Sequence, residues 1–284
     1  MTNYRTLISA EQLAEQIDHC LVIDCRHNLA APQAGREAYA VGHIPNAFFL
    51  HLDDDLSSPQ SGDNGRHPLP APAKLASKLS SLGLKPGVQL VAYDDAGGMV
   101  ASRLWWMARW LGHETVAVLD GGIKAWTAAG FPVNADTRDP TPAASDWATP
   151  GQCPTTDANA ILANIDSAGA LVIDARAGER FRGETEPLDK RAGHIPGAVN
   201  RPFADNLRED GRFKPAAVLR SEFLAITKGF APDQLIHSCG SGVSACHNLL
   251  AMAYAELDGS QLYPGSWSEW SSRENLPVAT GEAG

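Results

Sequence analysis

The feature that most limits the possible folds of this 284-residue chain is an internal duplication. Four blocks of the first half return in the same order, and at nearly constant spacing, in the second half. The pairs are LVIDCR and LVIDAR, GHIPNAFF and GHIPGAVN, LVAYDDAGGMVASRLWWMA and LIHSCGSGVSACHNLLAMA, and GGIKAWTAAGFPV and GSWSEWSSRENLPV. The repeat predicts two domains of one fold, and the chain is long enough to give each a hydrophobic core.

Composition shows where the halves separate. The stretch 134–156 is rich in Pro, Thr, Ala and Asp and has no apolar periodicity, which is typical of a linker. We therefore predict a first domain over residues 1–134, a linker over 135–156 and a second domain over 157–284. Short apolar runs such as CLVID alternate with stretches of helical period such as Pro72–Leu84. This alternation predicts an α/β fold, with a parallel sheet flanked by helices in each domain.

Composition and charge also exclude several kinds of partner. The net charge of −10 opposes binding to nucleic acid or to a membrane surface, because both require a basic face. No apolar run approaches the ~20 residues of a membrane span, and the first residues lack the pattern of a secretory signal. The five cysteines form no CxxC pair and no zinc-type cluster with histidine. We expect a cytoplasmic protein without a disulfide framework and without a bound metal.

The stretch HSCGSGVSAC holds the strongest candidate for chemistry. Cys239 follows DQLIH, a predicted strand, and precedes a predicted helix, ACHNLLAMAYAEL. Ligands of parallel α/β sheets bind at this end of a strand. Gly240 and Gly242 allow a turn in which successive N–H groups face one anion, and the helix dipole adds positive potential. Such surroundings stabilise a thiolate, so the sequence predicts a nucleophilic cysteine.

The first half carries a different residue at the matching position. Aligning the repeats places Asp94 opposite Cys239, and glycines follow both residues. We expect this position to be polar and accessible in both halves, with the reactive thiol only in the second. The first domain is therefore predicted to be catalytically inactive. Cys20, Cys25 and Cys246 are expected to be packing residues, and Cys153 an exposed linker residue.

Over essentially its whole length the chain resembles the tandem-domain rhodanese family, the thiosulfate and 3-mercaptopyruvate sulfurtransferases. The loop CGSGVS is similar to the Cys-Gly-Ser-Gly-Val-Thr of the mercaptopyruvate branch, with Ser244 in place of the threonine. The thiosulfate branch has Arg and Lys where Gly240 and Ser241 stand here. The resemblance implies that sulfur passes from 3-mercaptopyruvate to a persulfide on Cys239, with release of pyruvate. A thiol, cyanide or reduced thioredoxin then accepts the sulfur, and no cofactor is required.

The resemblance also implies the residues of the site. Cys239 and Ser241 are the expected catalytic residues, and Arg180 is expected to bind the substrate carboxylate. A second arginine that usually follows a Glu-Pro pair is replaced by Leu188. The remaining expected substrate-binding residues belong to the loop: Gly240, Gly242, Val243 and Ser244. Arg182, Lys190 and Arg191 are secondary candidates for binding the substrate.

A relay that joins the loop serine to a histidine is a further implication of the resemblance. By position this histidine would be His43, in GHIP. The same motif contains His194 in the second half, which favours a structural role, such as bonding a nearby backbone group. His43 and the segment Gly65–Pro70 are expected to line the site from the first half.

Three other functions were weighed against this one. Thiosulfate could be the sulfur donor, although the loop supplies no cation for its sulfonate. The protein could instead carry a persulfide to a protein partner without turning over small donors. A phosphatase is excluded, because that chemistry needs an arginine where Ala245 closes the loop.

Overall fold

The computed structural model describes residues 2–144 and 146–282, which form two compact units. Unit 1 contains the described residues up to Ser58, with Pro70–Gln152 and Glu209–Phe213. Unit 2 contains Pro59–Leu69, Cys153–Arg208 and the described residues from Lys214 onwards. The predicted domain ranges 1–134 and 157–284 stay a prediction, and their outermost residues, 1, 283 and 284, lie outside the described residues. Within residues 2–144 and 146–282, no helix combines the length and apolar character needed to cross a bilayer.

Unit 1 is built on a parallel sheet with the strand order β1-β5-β4-β2-β3. Its strands are Leu7–Ile8 (β1), Cys20–Asp24 (β2), Phe48–Phe49 (β3), Gln89–Tyr93 (β4) and Val116–Leu119 (β5). Its helices are Ala10–Ala14 (α1), Ala34–Val41 (α2), Pro72–Ser81 (α3), Ala101–Trp110 (α4) and Gly122–Ala128 (α5), with a 3-10 turn at Ile17–His19. Strands β2, β4 and β5 are buried along their whole length, as expected of a sheet covered on both faces.

Unit 2 repeats this architecture with the strand order β7-β6-β8-β9. Its strands are Leu171–Asp174 (β6), Val199–Asn200 (β7), Leu235–Ser238 (β8) and Gln261–Leu262 (β9). Its helices are Ala158–Ser167 (α6), Gly178–Phe181 (α7), Ala216–Thr227 (α8), Ser244–Tyr254 (α9) and Ser266–Trp270 (α10), with 3-10 turns at Phe203–Asn206 and Pro232–Gln234. The order β9-β8-β6-β7 equals β5-β4-β2-β3 of unit 1. The two predicted parallel sheets flanked by helices are thus confirmed.

The motifs that reveal the duplication have the same structural role in both units. In LVIDCR, Arg26 donates to the Asp24 carboxylate and, through Nη2 at 2.7 Å, to the carbonyl of Gly42 in GHIP. In LVIDAR, Arg176 does the same with Asp174 and with Gly193, again at 2.7 Å. These ion pairs are buried, and each joins the end of a central strand to the GHIP turn. The repeated motifs therefore hold the sheet to its connecting loop.

The GHIP histidines bind backbone and stack on an aromatic ring in both units. The Nδ1 of His43 lies 2.8 Å from the Tyr39 carbonyl oxygen, and its ring stacks on Tyr39 at 3.9 Å. The Nδ1 of His194 lies 2.8 Å from the Phe181 carbonyl oxygen, and its ring stacks on Phe181 at 3.7 Å. Both histidines therefore make the backbone contact that the repetition of the motif predicts for a structural role.

Candidate active site

The site is built on the loop between β8 and α9 of unit 2. Strand β8 lies between β6 and β9, and Cys239 follows it directly, with only 1% of its surface exposed. Gly242 adopts a φ of +74°, which turns its N–H back to donate to Cys239 Sγ at 3.1 Å. Helix α9 begins at Ser244, with Val243 at its N-cap position. The sulfur therefore sits in a turn of backbone donors at a helix N-terminus, where negative charge is stabilised.

The backbone of Cys239 is fixed by the start of α10. The Cys239 N–H donates to Ser266 Oγ at 3.1 Å, and the Ser266 hydroxyl donates to the Tyr263 carbonyl at 2.9 Å. The N–H of Trp267 donates to the Cys239 carbonyl, and that of Ser268 to the Gly240 carbonyl, both at 2.9 Å. Both peptide groups that flank Cys239, and the carbonyl of Gly240, are therefore hydrogen-bonded to this part of unit 2.

The matching loop of unit 1 shows what this turn binds. The carboxylate of Asp94 accepts N–H groups of Ala96, Gly98, Val100 and Ala101 at 2.8–2.9 Å. Asp94 is fully buried, so the expectation of an accessible position in both halves is wrong. Burial raises the pKa of Asp94, and the N–H groups oppose that rise. The turn is therefore an anion-binding cradle, which unit 1 fills with its own side chain.

Two guanidinium groups lie beside the Cys239 loop. A Cβ built on Gly240 would be 2.9 Å from Arg66 Nη2 and 3.6 Å from Arg180 Nη1. Arg180 is expected here from the sequence, and Arg66 belongs to the segment Gly65–Pro70 that is expected to line the site. Both arginines are partly exposed, with 23% and 18% of their side chains accessible. Positive charge missing from the loop itself is therefore supplied by its neighbours.

These arginines are paired with carboxylates. Arg180 Nη2 lies 2.7 Å from Glu186 Oε1 and 3.2 Å from Asp189 Oδ2, and Arg66 Nη1 contacts Asp189 Oδ1. Burial raises the pKa of Asp189, and the charge of Arg66 opposes that rise. Glu186 also accepts the backbone N–H groups of Leu188 and Asp189, at 3.1 and 3.2 Å. Both guanidinium groups therefore contact carboxylates of the segment that follows α7.

Ser241 is hydrogen-bonded to a histidine, but not to the one expected. Its Oγ lies 2.7 Å from Nδ1 of His67, and both side chains are buried. His43 belongs to unit 1, where its ring nitrogens bind the carbonyl oxygens of Tyr39 and Asp136. The histidine that fits the implied relay is therefore His67, which belongs to the expected segment Gly65–Pro70.

The other predicted cations have different surroundings. Arg182 forms an exposed pair with Glu184 at 2.7 Å, and Lys190 is exposed. Arg191, two residues before the second GHIP motif, donates to backbone carbonyls at and beyond the end of α10. The carbonyl acceptors of Arg191 are those of Trp270, Ser271, Arg273 and Leu276. These bonds give Arg191 a structural role. No bond among the described residues joins Arg182, Lys190 or Arg191 to the Cys239 loop.

Within the expected segment Gly65–Pro70, sequence reasoning did not single out Arg66 or His67, and it missed Ser266 and Asp189 as site residues. The Ser241–His67 bond spans 174 positions of the chain. The segment Gly65–Pro70 is marked in sequence by glycine and proline and by its Arg-His pair, which was the available signal. Neither periodicity nor spacing reveals which loop such a segment contacts.

Three of the other four cysteines are buried. Cys20, Cys25 and Cys246 are buried, as packing predicts, and Cys153 is partly exposed. Desolvation raises the pKa of Cys20 to about 11, so its thiol stays protonated at neutral pH. No disulfide joins cysteines within the described residues.

One group of side chains in unit 1 has a composition that suits a metal ion. Potential ligand atoms of His27, His51 and Asp53 lie within 4.8 Å of one another. His51 already uses both ring nitrogens: Nε2 lies 2.9 Å from the Pro32 carbonyl oxygen, and Nδ1 accepts the Asp53 N–H at 3.2 Å. These bonds explain the position of His51 without an ion.

Comparison with known proteins places this geometry in a family. The model of the rhodanese-like domain matches residues 9–129 and again residues 157–273, so each half of the duplication matches it once. The chain belongs to the rhodanese family. Among solved structures, the 3-mercaptopyruvate sulfurtransferase from Leishmania major superposes with a TM-score of 0.86 at 28% identity. That match covers 96% of this chain and 76% of the other.

Full-length rhodanese relatives carry both donor names. A probable 3-mercaptopyruvate sulfurtransferase of Pseudomonas aeruginosa is 46% identical over 97% of this chain and 98% of its own length. The thiosulfate sulfurtransferase of Bos taurus is 34% identical over 95% of this chain and 93% of its own. Two rhodanese domains in one chain are therefore shared with enzymes named for either donor.

Proposed function

We propose that this rhodanese-family protein is a sulfurtransferase that carries sulfur as a persulfide on Cys239, with 3-mercaptopyruvate as donor. The observation that carries the proposal is the Gly242 N–H donated to Cys239 Sγ. In unit 1 the same turn binds the Asp94 carboxylate. A turn built to hold negative charge, with a thiol at its centre, suits a thiolate that becomes an anionic persulfide.

In the first step the Cys239 thiolate attacks the sulfur of 3-mercaptopyruvate. A sulfur–sulfur bond forms, and the carbon–sulfur bond breaks with its electron pair left on carbon. The organic product is the enolate of pyruvate, which takes up one proton. Arg66 and Arg180 are the cations placed to hold the donor carboxylate beside Gly240. The Ser241–His67 pair is the group to which we assign proton transfer to the enolate.

In the second step an acceptor removes the outer sulfur. A thiol, cyanide or reduced thioredoxin attacks that sulfur, and the sulfur–sulfur bond electrons return to Cys239 as thiolate. Neither step needs a redox cofactor, because each electron pair released by the bond that breaks stays on pyruvate or returns to Cys239. A cytoplasmic location with thiol acceptors belongs to the proposal, in keeping with cysteines that form no disulfide among the described residues.

Thiosulfate is the second candidate donor, and a specific observation favours it. The loop residues Gly240 and Ser241 bring no charge, but Arg66 and Arg180 lie close enough to bind a sulfonate. With this donor, the Cys239 thiolate would take the outer sulfur and release sulfite. The name of the bovine relative is consistent with such an activity in this fold.

The test is to measure kcat/KM for 3-mercaptopyruvate and thiosulfate with the same acceptor. With 3-mercaptopyruvate we expect turnover that releases pyruvate and passes through a persulfide on Cys239. We expect its kcat/KM to be higher than that of thiosulfate. Cys239→Ser should abolish turnover, while Cys246→Ser, in the next helix, should retain it. Higher kcat/KM with thiosulfate would reverse the donor assignment. Persulfide loading by a protein partner, without turnover of either donor, would show a carrier instead.

A further inference from the structure

Asp189 occupies an unusual place for an acidic residue in a site that must bind an anion. Its two carboxylate oxygens are shared between the two guanidiniums beside the loop: Oδ1 with Arg66 and Oδ2 with Arg180, the latter at 3.2 Å. Only 4% of its side chain is exposed. The arginines proposed to bind the donor thus already hold a carboxylate that belongs to the protein.

The neighbouring acid, Glu186, has a different set of contacts. It lies 2.7 Å from Arg180 and 3.3 Å from Arg176, and it accepts backbone N–H groups of its own segment. Arg176 in turn is bound by Asp174 and buried. Glu186 therefore completes a structural network, whereas Asp189 is the acid that joins Arg66 to Arg180.

The charges of this group balance. Arg66, Arg176 and Arg180 face Asp174, Glu186 and Asp189 through the contacts above, which gives no net charge. The two candidate donors differ in charge, since 3-mercaptopyruvate has one carboxylate and thiosulfate is a dianion. A fixed negative charge beside the binding position repels a dianion about twice as strongly as a monoanion.

We propose that Asp189 is a specificity-determining residue that disfavours a dianionic sulfur donor relative to a monoanionic one. Its carboxylate neutralises part of the positive charge of Arg66 and Arg180, so the pair suits a single carboxylate better than a sulfonate. This inference rests on the proposed function. It also places the selection of the donor outside the Cys239 loop, in the segment that follows Glu186-Pro187.

The experiment compares both donors in four proteins: the unaltered chain, Asp189→Asn, Asp189→Glu and Glu184→Gln. The asparagine keeps the size and one acceptor oxygen but removes the charge, and the glutamate keeps the charge. Glu184 is a matched control, because it is an acid of the same segment whose partner is the partly exposed Arg182. The readout is the ratio of kcat/KM for thiosulfate to kcat/KM for 3-mercaptopyruvate, at pH 8, at low and high salt.

We expect Asp189→Asn to raise this ratio by about tenfold or more at low salt, and by less at high salt, where charge is screened. Asp189→Glu and Glu184→Gln should leave the ratio within about threefold of the original, as expected when the charge beside the arginines is kept. An unchanged ratio in a folded, active Asp189→Asn protein would overturn the inference while leaving the proposed function standing. Absence of turnover of either donor by the unaltered chain would overturn the proposed function itself.

A binding measurement keeps the test valid if Asp189→Asn impairs turnover. In a Cys239→Ser background, pyruvate and sulfate serve as a monoanion and a dianion that cannot be turned over. Asp189→Asn should tighten sulfate binding more than pyruvate binding, as measured by calorimetry. Equal changes for the two anions would contradict the assignment, and thermal unfolding of each variant shows that the protein under test is folded.

Discussion

At the scale of single residues, the contact with Ser241 distinguishes His67, to which we assign proton transfer, from His43. Both His67 and His43 are buried, and both use Nδ1 in a short contact. The difference lies in the partner, since His67 contacts a hydroxyl in the Cys239 loop and His43 contacts main-chain carbonyls. Burial alone therefore does not distinguish the two roles, but the hydrogen-bond partner does.

The Ser241–His67 contact predicts that the two residues act as one unit. Ser241→Ala and His67→Gln should each lower kcat for 3-mercaptopyruvate by about 100- to 10,000-fold, the usual range for a proton-transfer group. The double variant should lose little more than either single one, because each change already breaks the unit. Steady-state kinetics of the cycle measures this, and fully multiplicative losses would contradict it.

His43→Gln is the matched control for that cycle. We expect kcat to change little and the midpoint of thermal unfolding to fall, because the stacking on Tyr39 and the bonds to two carbonyls are lost. A loss of kcat equal to that of His67→Gln would move the relay to His43.

Gly240 is the residue through which the loop approaches the arginines. A methyl group there would lie 2.9 Å from Arg66 Nη2, so the mobile end of that side chain must move. Gly240→Ala should raise KM for 3-mercaptopyruvate by about threefold to tenfold with a smaller effect on kcat, since it disturbs a binding contact. Gly169→Ala, where the nearest atom is 3.9 Å away, should leave both constants unchanged. A fall in kcat alone would show that Gly240 serves the chemical step.

The sequence predicted those site residues that lie within the repeat and the loop. Cys239, its glycines and the carboxyl end of β8 could be placed because the apolar run, the turn and the helix are contiguous. Arg66 and His67 were covered only as part of the expected segment Gly65–Pro70, and Ser266 was missed, because each meets the loop from a distant part of the chain. The wrong expectation about Asp94 has the same origin: a turn of N–H groups can satisfy a buried carboxylate, so polarity does not imply exposure.

At the scale of elements, the strand–turn–helix unit has the same geometry with two different occupants. Asp94 and Cys239 each follow a central strand, and the turn that comes next donates four N–H groups to the Asp94 carboxylate and the Gly242 N–H to Cys239 Sγ. The start of α3 was predicted well, because it begins with Pro72, a residue that favours the first position of a helix. It ends at Ser81, close to Gly83, the glycine near the end of the stretch of helical period, whose φ of +104° a helix cannot include.

Asp94 should be a principal source of stability for unit 1. Asp94→Asn leaves one acceptor oxygen for the N–H groups that the carboxylate now binds, so at least one buried donor loses its partner. We expect the free energy of unfolding to fall by about 2 kcal/mol or more, the cost of unsatisfied buried donors. Chemical denaturation measures the change. Asp95→Asn, at the exposed neighbour, is the control, and equal effects of the two variants would contradict the role of the turn.

At the scale of the whole molecule, buried histidines connect stability to pH. Burial lowers the pKa of His27, His113, His194 and His237, that of His237 to about 3. A histidine with a lowered pKa in the folded state takes up its proton more readily when unfolded. Its contribution to stability is complete above the usual histidine pKa of about 6.5 and is lost as the pH falls below it.

His237 offers the clearest test of this dependence. It is fully buried in β8, its Nδ1 has no hydrogen-bond partner among the described residues, and its Nε2 lies 3.2 Å from Met252 Sδ. His237→Leu should remove up to about 1.4 kcal/mol per pH unit from the loss of stability between pH 6 and 5. Denaturation at several pH values measures the slope. The exposed His19→Gln should not change it, and parallel slopes for His237→Leu and the unaltered chain would refute the assignment.

The membership of Pro59–Leu69 in unit 2 has an evolutionary consequence. The first repeat encodes, in the middle of its own sequence, the histidine and arginine that lie beside the Cys239 loop of the second. A gene shortened to the second copy would keep Cys239 but lose His67 and Arg66. The second repeat alone therefore does not contain the complete set of residues that surround Cys239.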